Sequence, residues 1–219
     1  MGERMRSVVN KPEAERTPTW LEATEVLLDE HHVGAWSRNI ALRERFALDL
    51  ARGLHAIPDT SLVIIAGATV HTLDGFCKQL ERSLPSSSGK RLKRSIDGPG
   101  GVVERLNERP GDLADHTKRR YYLWREADVL LRHDRTLFGE LVDALAGVAA
   151  ESEYASEDLL LIHRAIFVGG PSLEVYGRDH KGQFRTWLNK RGHERRGEAL
   201  WKAISGVEVP PVKVFEIRG

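Results

Sequence analysis

A single cysteine, Cys77, stands among 219 residues. One sulfur cannot build a disulfide framework or a cysteine-ligated zinc site, so the chain needs no oxidising compartment. Long apolar runs are missing too. The longest, Leu62 to Ala68 and Ala165 to Gly170, fall far short of the ~20 residues that a membrane helix requires. Met1 to Thr19 is charged and lacks the apolar core of a secretory leader. The expectation is a cytoplasmic protein with no membrane partner. An excess of one charge is also absent: Lys and Arg number 33 against 32 Asp and Glu, a net charge of +1. That excludes a bulk polycation bound to nucleic acid and leaves only local patches. What is present, 41% hydrophobic and 30% charged residues, suffices to bury a core.

Residues 1–16 are polar and read as a disordered leader. Residues 17–58 read as an N-terminal helical segment. Behind Thr17-Pro18-Thr19, a cap hydroxyl with an early proline, Trp20, Leu21, Thr24, Val26, Leu27 and Leu28 recur at helical spacing. Val33-Gly34 ends this helix, with His31-His32 in a turn. A second helix is predicted from about Trp36 to His55, its apolar face built by Ile40, Leu42, Phe46, Leu48, Leu50 and Leu54.

Residues 60–170 alternate between the two periods. Leu62 to Ala66 is a short β-branched strand ended by Gly67. Thr72 then caps a helix whose face is Leu73, Phe76, Cys77, Leu80 and Leu84, stopped by Pro85. Cys77 reads as a buried small hydrophobe. Ser86 to Arg94 is a basic loop, and a short helix is expected around Val102 to Glu108. Tyr121 to Trp124 reads as a second strand, Thr136 to Glu151 as a helix, and Leu159 to Val168 as a third strand. Residues 171–219 read as a basic helical tail (Gln183 to Ile204) with a terminal strand, Val212 to Ile217. Strands alternating with helices imply a parallel sheet. The predicted class is α/β: a small parallel sheet of three or more strands with helices packed on it. N-terminal helices and a basic helical C-terminal extension flank it.

Chemical templates are poorly met. Gly67 between a strand and a helix is where a phosphate could bind, but the lysine of a phosphate loop is missing and Asp74 would repel the anion. Arg125 stands where a metal-facing aspartate would follow the second strand, and Glu126 and Asp128 read as exposed residues past its end. The nine histidines show no ligand spacing, and His163 and Arg164 interrupt an apolar strand, which sends their side chains to a sheet edge or a pocket, the edge being the plainer reading. There is no GxSxG nucleophile elbow. The chain is therefore expected not to be an enzyme and to need no cofactor or metal. The strongest charged patch is the tail. Residues 178–202 hold eight cations and three acids, with Phe184, Trp187 and Trp201 interleaved. Arg185, Trp187, Lys190, Arg191, Arg195 and Arg196 are candidates for gripping phosphates and stacking on bases.

The segment IAGATVHTLDGFCKQLERSLP (Ile65 to Pro85) resembles the opening of the barstar family, with Ile65, Gly67, Val70, Thr72, Leu73, Phe76, Leu80 and Leu84 in matching places. YYLWREADVLL (Tyr121 to Leu131) resembles that family's second strand, Leu137 to Glu151 its next helix and Leu159 to Phe167 its last strand. The resemblance covers about residues 60–170. It implies a parallel three-stranded sheet and a non-enzymatic protein-binding module, an inhibitor or immunity protein for a nuclease or toxin. It also places the docking acids among Asp97, Glu104, Glu108, Asp112 and Asp115. Arg105 and Arg109 sit among those acids, and the near-neutral net charge departs from the acidic surface such an inhibitor uses. Two other readings stand beside it: a degenerate P-loop or AAA-like nucleotide-binding subunit of a larger assembly, and a nucleic-acid binder using the tail.

Overall fold

The computed structural model describes residues 32–84, 118–154, 162–179 and 213–217. His32–Trp36 forms strand β1, followed by helix α1 (Ile40–His55) and strand β2 (Thr60–Ala66). A 3-10 turn (Gly67–Thr69) leads into helix α2 (Leu73–Ser83). Strand β3 (Arg119–Arg125), helices α3 (Asp128–His133) and α4 (Arg135–Tyr154), strand β4 (Ile162–Gly169), helix α5 (Ser172–Asp179) and strand β5 (Lys213–Glu216) follow. The five strands form one all-parallel sheet in the order β2-β3-β4-β1-β5, an α/β architecture. Among the described residues no helix is long and apolar enough to cross a membrane.

The two sheet faces have separate cores, because side chains alternate along each strand. On one face, Phe46, Leu50 and Leu54 of α1 pack over Val33, Ala35, Tyr121, Leu123, Ile166 and Val168. On the other, α2, α3, α4 and α5 pack over Val63, Ile65, Tyr122, Trp124, Ala165 and Phe167. Trp124 is fully buried there, its ring 4.9 Å from Phe76 and 5.3 Å from Phe138. Each fully buried Phe or Leu of this kind contributes about 2 kcal/mol of transfer free energy. The division follows from handedness. The chain leaves β1 towards β2 in one direction and returns through β3 and β4 in the other. Right-handed crossovers then place α1 opposite the remaining helices.

Several expectations hold. Helix α4 covers the helix expected over Thr136 to Glu151, and α2 is capped by Thr72, whose hydroxyl accepts from the Gly75 N–H at 3.1 Å. Cys77 is buried on the apolar face of α2. The strands within residues 60–170 lie side by side in chain order, and the terminal strand is present as β5.

Others need correction. The stretch read as a helix end and turn is β1, an interior strand paired with β4 and β5. Gly34 belongs there because a Cβ would lie 2.8 Å from Val214 Cγ2 on β5. His32 opens the strand opposite Ala165, and Trp36 ends it, so the following helix starts at Ile40. Strands β1 and β5 thus belong to the same sheet as β2, β3 and β4. His163 and Arg164 are not at an edge: β4 lies between β3 and β1, and both side chains are buried. Asp128 is buried as well, as the first residue of α3.

Candidate functional site

Strand order locates one place on this sheet where a crevice must open. Helix α1 follows β1 onto one face, α5 follows β4 onto the other, and β1 and β4 are neighbours. The chain therefore parts at their carboxyl ends, the usual ligand position in open parallel sheets. A small crevice does lie there, and Ile40, Arg43, Glu44, Arg125, Glu126 and Val168 are among the residues that line it.

The β1–α1 connection is short and already self-satisfied. The Asn39 side chain accepts from the N–H groups of Ala41 at 2.9 Å and Leu42 at 3.4 Å, so it occupies the helix N-terminus as a cap. Ser37 N–H donates to the Gly169 carbonyl at 3.2 Å, and its hydroxyl accepts from Asn39 N–H at 3.2 Å. The second helix N-terminus offers no more room. Thr72 caps α2, and Asp74 in its first turn pairs with Lys78 at 2.6 Å. A Cβ on Gly67 would overlap the carbonyl oxygens of Arg125 and Glu126, so that glycine serves close packing against the end of β3.

Beyond β3 the backbone turns sharply at Glu126, whose φ of 51° lies in the left-handed region. The turn carries Ala127 N–H to the Val168 carbonyl at 3.0 Å and swings Asp128 inward. The Asp128 carboxylate meets Arg132 Nη1 one helical turn on, and Arg43 Nη1 of α1 at 3.6 Å. Gly169 and Gly170 make the space: a Cβ on Gly170 would lie 2.8 Å from Asp128 Oδ2 and 3.0 Å from Arg43 Nη1. One carboxylate thus ties together α1, α3 and the β4–α5 turn. The crevice beside this clamp carries two arginines and two glutamates, and among the described residues no hydroxyl, thiol or imidazole lines it. Such a lining suits recognition through paired charges and shape.

The amino end of the same sheet holds a second polar group that sequence reasoning missed. Arg120 on β3 is the register partner of His163 on β4, and Tyr122 follows on the same face. The Tyr122 hydroxyl lies 2.9 Å from His163 Nδ1, with the two rings stacked at 5.8 Å. Arg120 also hydrogen-bonds Tyr122, and a guanidinium can only donate. The arrangement that uses every proton has Arg120 donating to the tyrosine oxygen and the hydroxyl donating to Nδ1, which leaves the His163 proton on Nε2. Burial, then the charges of Arg120 and Arg164, push His163 down to about 3. Burial pushes Tyr122 up to about 12 against the opposing pull of Arg120.

The acids placed by resemblance, Asp97, Glu104, Glu108, Asp112 and Asp115, lie outside the described residues. So do the tail candidates Arg185, Trp187, Lys190, Arg191, Arg195 and Arg196. Two histidines without sequence spacing, His71 and His133, come together edge to face at 5.2 Å. Among the described residues no group of three His, Cys, Asp or Glu could hold a metal. No family model, no curated protein and no solved structure matches this chain.

Proposed function

We propose that the protein is a non-enzymatic protein-binding module that docks its partner on the surface around the carboxyl-end crevice. The observation that carries this reading is Ile40, 61% exposed at the mouth of a crevice lined by Arg43, Glu44, Arg125 and Glu126. An apolar anchor within a charged rim is the arrangement protein interfaces favour. Leu48, 49% exposed two turns further along α1, extends the same surface. The barstar resemblance of residues 60–170 supports a nuclease or toxin as the partner, and the balanced charge of the rim suits a partner that is itself of mixed charge.

The test begins with a partner recovered from the native host and then measures its affinity for the wild type and for Ile40→Glu. At an exposed position this substitution leaves the fold intact, and it weakens binding at least about tenfold by placing a charge in the anchor. Association also slows with salt through the charged rim. A partner that binds Ile40→Glu as tightly as the wild type sinks the assignment of this surface. Nuclease or toxin activity unaffected by the wild-type protein sinks the inhibitor reading.

A second reading, a degenerate nucleotide-binding subunit, is favoured by one observation: the crevice lies at the topological switch point between β1 and β4. Two features weigh against it. Asn39 already caps α1, and an arginine, Arg125, ends β3. Thermal unfolding with millimolar ATP and Mg²⁺ separates the readings, because a nucleotide subunit gains stability and the docking module does not.

A further inference from the structure

We propose that Arg120, with Tyr122 and His163 behind it, forms a buried receptor for a small oxyanion, a carboxylate or phosphate group, at the amino ends of β3 and β4. This site lies at the opposite end of the sheet from the docking surface and does not depend on it.

Arg120 is 2% exposed, yet its Nε and Nη2 have no hydrogen-bond partner. Those two nitrogens lie on one edge of the guanidinium with nearly parallel N–H bonds. That edge is the fork which grips two oxygens of a carboxylate or phosphate at once. The remaining donor capacity is directed to Tyr122. The tyrosine hydroxyl is in turn fixed by His163 Nδ1 at 2.9 Å, so the guanidinium is held on one side and unmet on the other.

A buried cation without a counter-charge is severely penalised, and arginine cannot escape by losing its proton as a buried lysine can. Among the described residues no carboxylate pairs with Arg120. The charged residues next to it in sequence and register have its own sign, and the acid at this end, Asp59, faces Lys118 at 3.9 Å. Arg164 follows His163 and donates from Nη1 to the His163 carbonyl at 2.9 Å, and Arg119 precedes Arg120 in the strand. His163 is held neutral, so it adds no positive charge and offers no negative one. The result is a buried cation with an unmet two-pronged donor, which draws an anion rather than a cation or an apolar group. Arg120 is the second residue of β3, two positions from the well-exposed Lys118, so the fork lies near the amino rim of the sheet.

The experiment is thermal unfolding of the full chain in sodium phosphate and in sodium acetate, each against sodium chloride of equal ionic strength. One oxyanion raises the midpoint by about 2–4 °C in the wild type at concentrations well above its dissociation constant. Which of the two does so identifies the ligand group. Arg120→Met removes this response, and in chloride alone it melts no lower than the wild type, because the uncompensated charge has gone. Arg120→Lys keeps the charge but loses the fork, and binds the same anion at least about tenfold more weakly. The proposal is overturned if neither oxyanion moves the wild type beyond chloride, or if Arg120→Met responds equally. Should Arg120→Met not fold, the Nε–H resonance of Arg120 in the wild type decides. A saturable shift on adding phosphate or acetate supports the receptor, and an unmoved resonance overturns it.

Discussion

At the carboxyl end of the sheet a buried carboxylate, Asp128, is met by two arginines; at the amino end a buried arginine, Arg120, is met by a tyrosine and a neutral histidine. Each end buries a charge in an interior that is mostly apolar, where Asp143 and Arg164 are the other buried charged side chains among the described residues. The difference lies in how the charge is answered. Asp128 receives its counter-charges from within the chain, one on α1 and one on α3, so it acts as a clamp between elements. Arg120 receives hydrogen bonding on one side and no opposite charge among the described residues. A satisfied charge reads as structure, and an unsatisfied one reads as a place that expects something else.

The largest test of this contrast is acid. Burial and the charges of Arg120 and Arg164 lower the folded-state pKa of His163 to about 3, from the ordinary 6.5 of a free imidazole. Below pH 6.5 the unfolded chain therefore binds a proton at this residue that the folded chain refuses. Stability must fall as pH drops from about 6.5 towards 3, by up to about tenfold in the folding constant per pH unit, and this contribution is absent above that window. The charges of Arg120 and Arg164 make protonation worse, and the Tyr122 hydroxyl bonded to Nδ1 is neutral. Denaturant unfolding between pH 7 and pH 4 measures the effect, with His163→Gln as the reference. Gln can still accept from Tyr122 and does not titrate, so its profile should be flatter. Equal slopes in both proteins would show that the amino end is not where the fold is acid-sensitive.

Next in size comes the clamp. Asp128→Asn keeps the shape that Gly169 and Gly170 accommodate but removes the charge both arginines share. Arg132 is 57% exposed and can turn to water, whereas Arg43 is 18% exposed and is less free to do so. The expected loss is about 2–3 kcal/mol, the range for a hydrogen-bonded charged pair whose partners are partly solvated. For a domain of this size that is a melting-point drop of roughly 5–10 °C. A drop under about 2 °C would mean that Asp128 is a tolerated buried acid and not a clamp.

How much of this was legible in the sequence depends on whether the signal was local. Strand β2 and helix α2 were readable because Leu62 to Ala66 is β-branched, Thr72 is a capping hydroxyl, and Phe76, Cys77 and Leu80 recur at helical spacing. Strand β1 was not, because HVGAW is short and contains a glycine and an alanine. It becomes a strand through pairing with residues 165–169 and 213–216, far along the chain. The same holds for both ends of the sheet. Polar residues in an apolar strand, such as His163 and Arg164, read as an edge unless one knows that β1 and β3 flank them. Asp128 reads as exposed unless one sees that two distant glycines, Gly169 and Gly170, leave room for its carboxylate. A parallel sheet makes its neighbours from distant segments, so its polar interior is a tertiary fact.

The smallest predicted effect concerns the turn that delivers Asp128 to its clamp. Glu126 holds φ of 51°, where an L side chain is strained and glycine is not. Glycine at this position relieves the strain but gives the unfolded chain more freedom, so the two effects partly cancel. Alanine removes the same carboxylate and keeps the strained Cβ, which makes it the proper reference. Glu126→Gly should therefore be more stable than Glu126→Ala by about 0.5–1 kcal/mol, read by urea unfolding of the two variants side by side. The reverse order would mean that the backbone at Glu126 relaxes out of the left-handed region once the side chain is cut back. The clamp at Asp128 would then be set by its arginines alone and not by the turn that precedes it.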